Sequence, residues 1–280
     1  MNLNAKKVLV VNLADKTSEV KSYVELHKYM GGVGLSLKLY EIYYNKEPVI
    51  LSVGPLNGFF PFVSKTSALL NNDGVVEDSY IGGNLSLRIR YSGLDSIVFI
   101  GTADCPTIVD IQNTKTLFHP DDIDIGTLGL PGKRSTLKNL GKNLMLSDYF
   151  TTPENFLGKA LTTKNVAGIV ITGTETYTPQ DFDRYTQLYH KILARKLELS
   201  VEEGKHHSCG NCPMGCGKSQ YGEIGGNVLI HSMVACQYAD TIYNDIGTLF
   251  SCLNTLGYDY RHEDIEYLPV LIEETLKKVS

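Results

Sequence analysis

Cys209, Cys212 and Cys216 stand at C-x2-C-x3-C spacing inside the stretch HHSCGNCPMGCGK, residues 206–218. Thiolates are soft ligands that select zinc, copper(I) or an iron–sulfur cluster, and three of them converge within a few ångströms only on a tight loop. The interleaved Gly210, Gly215 and Gly217 supply such turns and let backbone N–H groups approach cluster sulfurs. Half of the chain's six cysteines fall between positions 209 and 216, so the spacing points to a metal or cluster site rather than to chance clustering.

Zinc and iron–sulfur both remain open at this point. A zinc knuckle carries a second ligand pair nearby, whereas downstream only His231, Cys236 and Cys252 occur, none in a C-x2-C or H-x3-H pair. His206 and His207 directly precede the loop and offer a Cys3His alternative. The order of the spacings is the reverse of the radical-SAM C-x3-C-x2-C loop, which disfavours that class. Cys105, Cys236 and Cys252 are scattered in apolar or mixed surroundings and read as core thiols in a reduced compartment, so a cytoplasmic location is expected.

The elements that must position this loop fall into two groups. From Lys6 to about Gly173, β-branched runs bounded by Gly, Pro, Asn or Asp predict strands at Val8–Leu13, Val49–Val53, Ile97–Gly101, Thr107–Ile111 and Val166–Thr172. One helix interrupts them between Val24 and about Tyr44, with a break expected at Gly31, Gly32 and Gly34. Glycine-rich turns follow at 54–59, 81–84 and 92–95. After Thr178-Pro179 the pattern becomes helical, over Phe182–Leu199 and then at about Leu229–Asp240, Ile242–Leu256 and His262–Lys278. The fold class expected is α+β: a β-rich domain over 1–178, then a smaller helical domain over 179–280 that carries the cysteine loop.

Composition excludes several function classes. With 20% charged residues, 42% hydrophobic residues and a net charge of −5, the chain is globular and lacks the basic footprint of a nucleic-acid or anionic-lipid binder. No run approaches eighteen apolar residues, and LVVNL is too short for a signal-peptide core, so no membrane association is expected.

The motifs GGVGLSLKLY, ILSVGPLNGFFP, IGGN with RYSGLDSIVFIGTA, LTTKNVAGIVITGT and CGNCPMGC resemble, in that order, the N-terminal domain and cluster loop of the tungsten-dependent aldehyde:ferredoxin oxidoreductase family. The resemblance spans about residues 5–260. It implies a β-rich base for a tungsten or molybdenum bis-pterin and a helical domain carrying three ligands of a [4Fe–4S] cluster. In complete members an aldehyde is oxidised to a carboxylic acid, and electrons leave through the cluster to ferredoxin or another electron-transfer protein. Carried over by position, Cys209, Cys212 and Cys216 match cluster ligands, and Lys65 stands where an Arg bridges cluster and pterin. Gly82 and Gly83 match a cofactor-contacting turn, while Asn254, Gly257 and Asp259 match the D-x-x-G-L-D pterin segment.

This chain also departs from the family pattern. Lys65 keeps the charge of the Arg but not its planar fork. Tyr80 replaces an Asn, Asn254 an Asp and Tyr258 a Leu. Glu154 and Phe156 stand where a basic glycine loop is expected, and GGNVLIH at 225–231 lacks the family's carboxylate. The resemblance further implies a C-terminal domain that this sequence lacks, so either a partner subunit supplies it or the cofactor site is reduced; of the candidates for a fourth cluster ligand, Cys236, Cys252, His206 and His207, none is expected to complete the site. An oxidoreductase is therefore expected, with a non-catalytic cluster- or zinc-binding scaffold as the alternative.

Overall fold

The structure is a computed structural model that describes residues 3–141, 143–147, 150–151, 156–199, 228–236 and 239–279. Its fold is α+β. The first sheet contains β1 (Lys6–Asn12), β2 (Thr17–Tyr23), β3 (Val49–Ser52), β4 (Thr66–Asn72), β5 (Val75–Ile81) and β6 (Ser96–Ile100), in the order β2-β1-β6-β3-β4-β5. Helix α1 (Gly32–Tyr43) precedes β3, and α2 (Leu85–Tyr91) precedes β6. The second sheet contains β7 (Thr107–Gln112), β8 (Lys115–Pro120), β9 (Ser135–Asn139), β10 (Leu144–Leu146), β11 (Phe150–Thr151) and β12 (Val166–Thr172), in the order β11-β10-β9-β12-β7-β8, with α3 (Phe156–Thr163) leading into β12. Helices α4 (Phe182–Ala194), α5 (Val228–Met233), α6 (Asp240–Tyr243), α7 (Ile246–Leu256) and α8 (His262–Val279) complete the described chain.

The central strands are buried on both faces, which is why they read as unbroken β-branched runs rather than as an alternating pattern. One face of the first sheet meets the second sheet, α2 and α3 through an aliphatic core that includes Leu9, Leu51, Ile97, Phe99, Val109 and Ile169. The opposite face meets α1 and the C-terminal helices through a second core, in which Val10, Ile50 and Val98 join Leu37, Leu253 and Leu268. Alternate residues of one strand thus serve two cores, as a period of two requires.

The expected break in the first helix is found at Gly31 and Gly32. A short 3-10 turn at His27–Tyr29 precedes it and α1 follows. The helix expected over Leu229–Asp240 ends at Met233, because Val234 takes φ 56 and residues 234–236 turn to pair with another segment. The helix expected over Phe182–Leu199 tightens into a 3-10 turn at Arg195–Glu198.

Candidate functional site

One line of paired residues fixes the site. Across the first sheet, Val8 aligns with Ser96, Ser96 with Ser52, Ser52 with Ser67, and Ser67 with Tyr80. Lys6, Asp95, Gly54, Lys65 and Gly82 all lie just beyond this line, so one end of the sheet gathers them. Buried hydroxyls run along the same line: Ser36 Oγ donates to Ser52 Oγ at 2.8 Å, and Ser52 and Ser96 are 2.8 Å apart.

The loop from Gly54 to Lys65 is the hub of this end. Asn57 is fully buried; its Oδ1 accepts the Gly54 N–H at 2.6 Å, and its Nδ2 donates to the Val63 and Lys65 carbonyls at 3.3 and 3.1 Å. An Asx side chain closing its own turn is a local device that holds such a loop without a helix or sheet. The C-terminal helices then grip the loop from outside. Tyr185 Oη on α4 donates to the Phe59 carbonyl at 2.7 Å, and Tyr243 Oη on α6 donates to the Pro61 carbonyl at 2.6 Å. Residues 234–236 pair with the loop backbone: Cys236 N–H donates to Phe62 O at 2.7 Å, Lys65 N–H donates to Val234 O at 3.2 Å, and Val63 bridges Ala235.

Lys65 is 2% exposed. Tyr80 is equally buried, with its ring stacked on His231 at 4.7 Å. Gly83 has φ +86, and a Cβ there would lie 2.5 Å from Leu146 Cδ2; its close approach therefore serves contact with the second sheet. A Cβ on Gly54 would lie 2.2 Å from the Met233 carbonyl oxygen, so that approach serves α5. The space beside both glycines is filled by the chain's own atoms.

The segment from Asn254 to Tyr260 reaches the same sheet end at a different strand. Asn254 is exposed on α7 beside Gln180–Asp183, and Gly257, with φ 99, ends that helix. Asp259 Oδ1 pairs with His27 Nε2 at 2.9 Å. Tyr258 and Tyr260 stack with centroids 5.6 Å apart, and His27 lies parallel on Tyr260 at 4.1 Å. Beneath the rings is Lys6, 1% exposed, whose Nζ donates to Tyr260 Oη at 3.0 Å. Burial lowers the Lys6 pKa to about 8, against the attraction of Asp95. Next to it Arg90 pairs with Asp95 at 3.0 Å and donates to the Gly54 carbonyl at 2.6 Å. Burial pushes the Asp95 carboxyl up, and Arg90, Lys6 and the Lys7 N–H together hold it below its ordinary value.

Gly257 and Asp259 thus lie near the start of β1, with Asn254 beside Gln180–Asp183, while Lys65 and Gly82 flank β4 and β5. The strands β1 and β4 are three spacings apart, roughly 14 Å. Lys6 and Tyr260 are buried polar groups that lie outside the quoted motifs, and Arg90 and Asp95 lie inside one, in RYSGLD.

His206, His207, Cys209, Cys212 and Cys216 lie outside the described residues. Among the described residues no group of three or more His, Cys, Asp or Glu is placed to hold a metal ion. Cys252 is fully buried in α7, and burial pushes its thiol up to about 12, which marks a core thiol. Cys236 is half-buried where residues 234–236 meet the loop. No described helix is long and apolar enough to cross a membrane.

The family profile described as aldehyde ferredoxin oxidoreductase, N-terminal domain, matches residues 8–143. A solved structure described as "Active site complex BamBC of Benzoyl Coenzyme A reductase in complex with 1,5 Dienoyl-CoA" superposes with a TM-score of 0.59 at 16% identity, over 72% of this chain and 36% of the other. The chain therefore spans about a third of the length of that relative, and at this identity the likeness is one of fold. No curated protein sequence matches the chain.

Proposed function

Residues 8–143 are an N-terminal domain of the aldehyde ferredoxin oxidoreductase family, and from that premise we propose that the chain is the electron-transfer part of an oxidoreductase. In this reading residues 1–178 are the base, residues 179–280 are the helical domain, and Cys209, Cys212 and Cys216 bind a [4Fe–4S] cluster. The observation that carries it is the double anchorage of the cysteine segment. Upstream of residues 200–227, Tyr185 of α4 donates to Phe59, and downstream of them residues 234–236 pair with Phe62–Lys65. The described residues on both sides of the thiolate-bearing segment are thus held on the loop that carries a buried lysine. A cation close to a thiolate-bound cluster stabilises its negative charge, which is the role assigned to Lys65.

Aldehyde oxidation, R–CHO + H2O → R–COOH + 2H⁺ + 2e⁻, then requires a partner. In this reading the tungsten or molybdenum bis-pterin is held by groups other than Tyr80, Gly54 and Gly83, which are packed by this chain's own atoms. The superposed structure is that of a complex, which supports a multi-subunit assembly for this chain too. Ferredoxin or a similar protein accepts the electrons, in the cytoplasm.

A second reading, a non-catalytic scaffold that holds a cluster or zinc, is favoured by that same packing. Anaerobic purification with iron and zinc analysis and electron paramagnetic resonance separates the two. The first reading expects about four iron per chain, a dithionite-reducible signal, and loss of both in Cys212→Ser. One zinc per chain in a fully folded, iron-free protein would establish the second.

A further inference from the structure

At the opposite end of the first sheet, a cleft of about 350 Å³ lies between Glu47–Val49, the β4–β5 hairpin tip and the last turns of α3. Strand β4 runs from the Lys65 end at Thr66 to this cleft at Asn72, a length of roughly 20 Å. The cleft is therefore separate from the loop between Gly54 and Lys65, and binding there is independent of the proposed electron-transfer role.

Lys164 lines the cleft and is 8% exposed. Its Nζ makes one hydrogen bond among the described residues, to the Gly101 carbonyl at 3.2 Å. An ammonium has three donors, so two have no protein acceptor there. The neighbouring acids do not neutralise it. Asp73 is held by Lys159 at 2.7 Å across the hairpin tip, and Glu47 is exposed and forms no ion pair with Lys164 among the described residues. Burial correspondingly lowers the Lys164 pKa, with Glu47 acting in the other direction.

Part of the remaining wall is apolar, formed by Val49, Leu70, Phe156 and Ala160, and part is polar, formed by Asn71, Asn72, Thr102 and Thr163. A desolvated ammonium with spare donors beside an apolar wall matches a carboxylate that carries a hydrophobic tail. The oxygens accept the spare protons in charge-assisted bonds, and the tail takes the wall out of water. Glu47 and Asp73 on the same rim repel a dianion more than a monoanion. We propose that this cleft binds a small organic monocarboxylate, of about the size of benzoate, anchored by Lys164.

Isothermal titration of the full chain with sodium benzoate tests this, with benzyl alcohol and inorganic phosphate as matched controls. One benzoate is expected to bind, with either control at least about tenfold weaker, roughly the contribution of one charged hydrogen bond. Lys164→Met is expected to weaken benzoate binding about tenfold or more. Ala160→Phe, which fills the cleft and keeps the lysine, is expected to do the same, with circular dichroism confirming that each variant is folded. If Lys164→Met does not fold, Ala160→Phe and the selectivity of the unaltered chain decide. Absence of benzoate binding, phosphate binding as tightly as benzoate, or unchanged affinity in folded Ala160→Phe would overturn the proposal.

Discussion

At one end of the first sheet Arg90 is held between the Asp95 carboxylate and the Gly54 carbonyl, and Lys6 lies under two tyrosine rings with a bond to Tyr260. At the other end Lys164 gives a single bond to a backbone oxygen and faces a cleft. Both ends bury cations, but only the first gives them a paired carboxylate and enclosing tyrosine rings. Burying a charge costs several kcal/mol unless it is paired and hydrogen-bonded. The first end is thus built as a closed lock, and the second is left open to something from solution.

The largest effect expected at the closed end is that of Asp95→Ala, which leaves the Arg90 guanidinium buried without its carboxylate. Loss of about 3–5 kcal/mol in urea unfolding is expected, and a loss under about 1 kcal/mol would show that this end is no lock. Next comes the pH dependence of Lys6. Its pKa is about 8 when folded against an ordinary value of 10.5, so between these values the unfolded chain holds a proton that the native protein lacks. Stability from this group therefore rises with pH from about 8 and is lowest below it, by about 2–3 kcal/mol up to pH 10. Above pH 10 the buried Tyr258 and Tyr260, whose pKa values burial raises, turn the trend downward. Chemical unfolding at successive pH values measures this, and Lys6→Met should flatten the rise.

Tyr260→Phe removes the acceptor of the Lys6 bond and the donor to the His27 carbonyl. A cost of about 1–2 kcal/mol in the same assay is expected. The smallest effect belongs to the open end: Lys164→Met should change stability by less than about 1 kcal/mol, since it removes one hydrogen bond together with a desolvated charge. A large loss there would show that the second end is a lock as well.

The strands legible in the sequence are those buried on both faces, such as Val49–Ser52 and Val166–Thr172, because continuous apolar runs leave little choice. The hairpin of β4 and β5 escapes such a reading because its outer halves, with Asn71, Asn72, Glu77 and Asp78, interrupt any such run. Its turn, Asp73-Gly74, with φ 52 and 93, carries the signal that finds it. At the site, Lys65, Gly82 and Gly83 are legible through motif order, and the structure sets them at one end of the sheet. Arg90 and Asp95 fall inside the motif RYSGLD, but their pairing does not show in it, and Lys6 is not legible at all. Lys6 reads as an ordinary strand-start lysine until Tyr260, 254 positions away, closes over it.

The pairing of residues 62–65 with 234–236 also bears on how easily metal enters. A chain that must gather three thiolates loses more conformational freedom the more widely its ends wander, with the loss growing as the logarithm of loop length. Residues 234–236 and Tyr185 of α4, described on either side of residues 200–227, are both held to the loop between Phe59 and Lys65, so in the proposed cluster-binding role part of that entropy is already spent by the fold. Loosening the pairing at Ala235 should therefore slow cluster assembly and speed cluster loss, although no ligand has been altered.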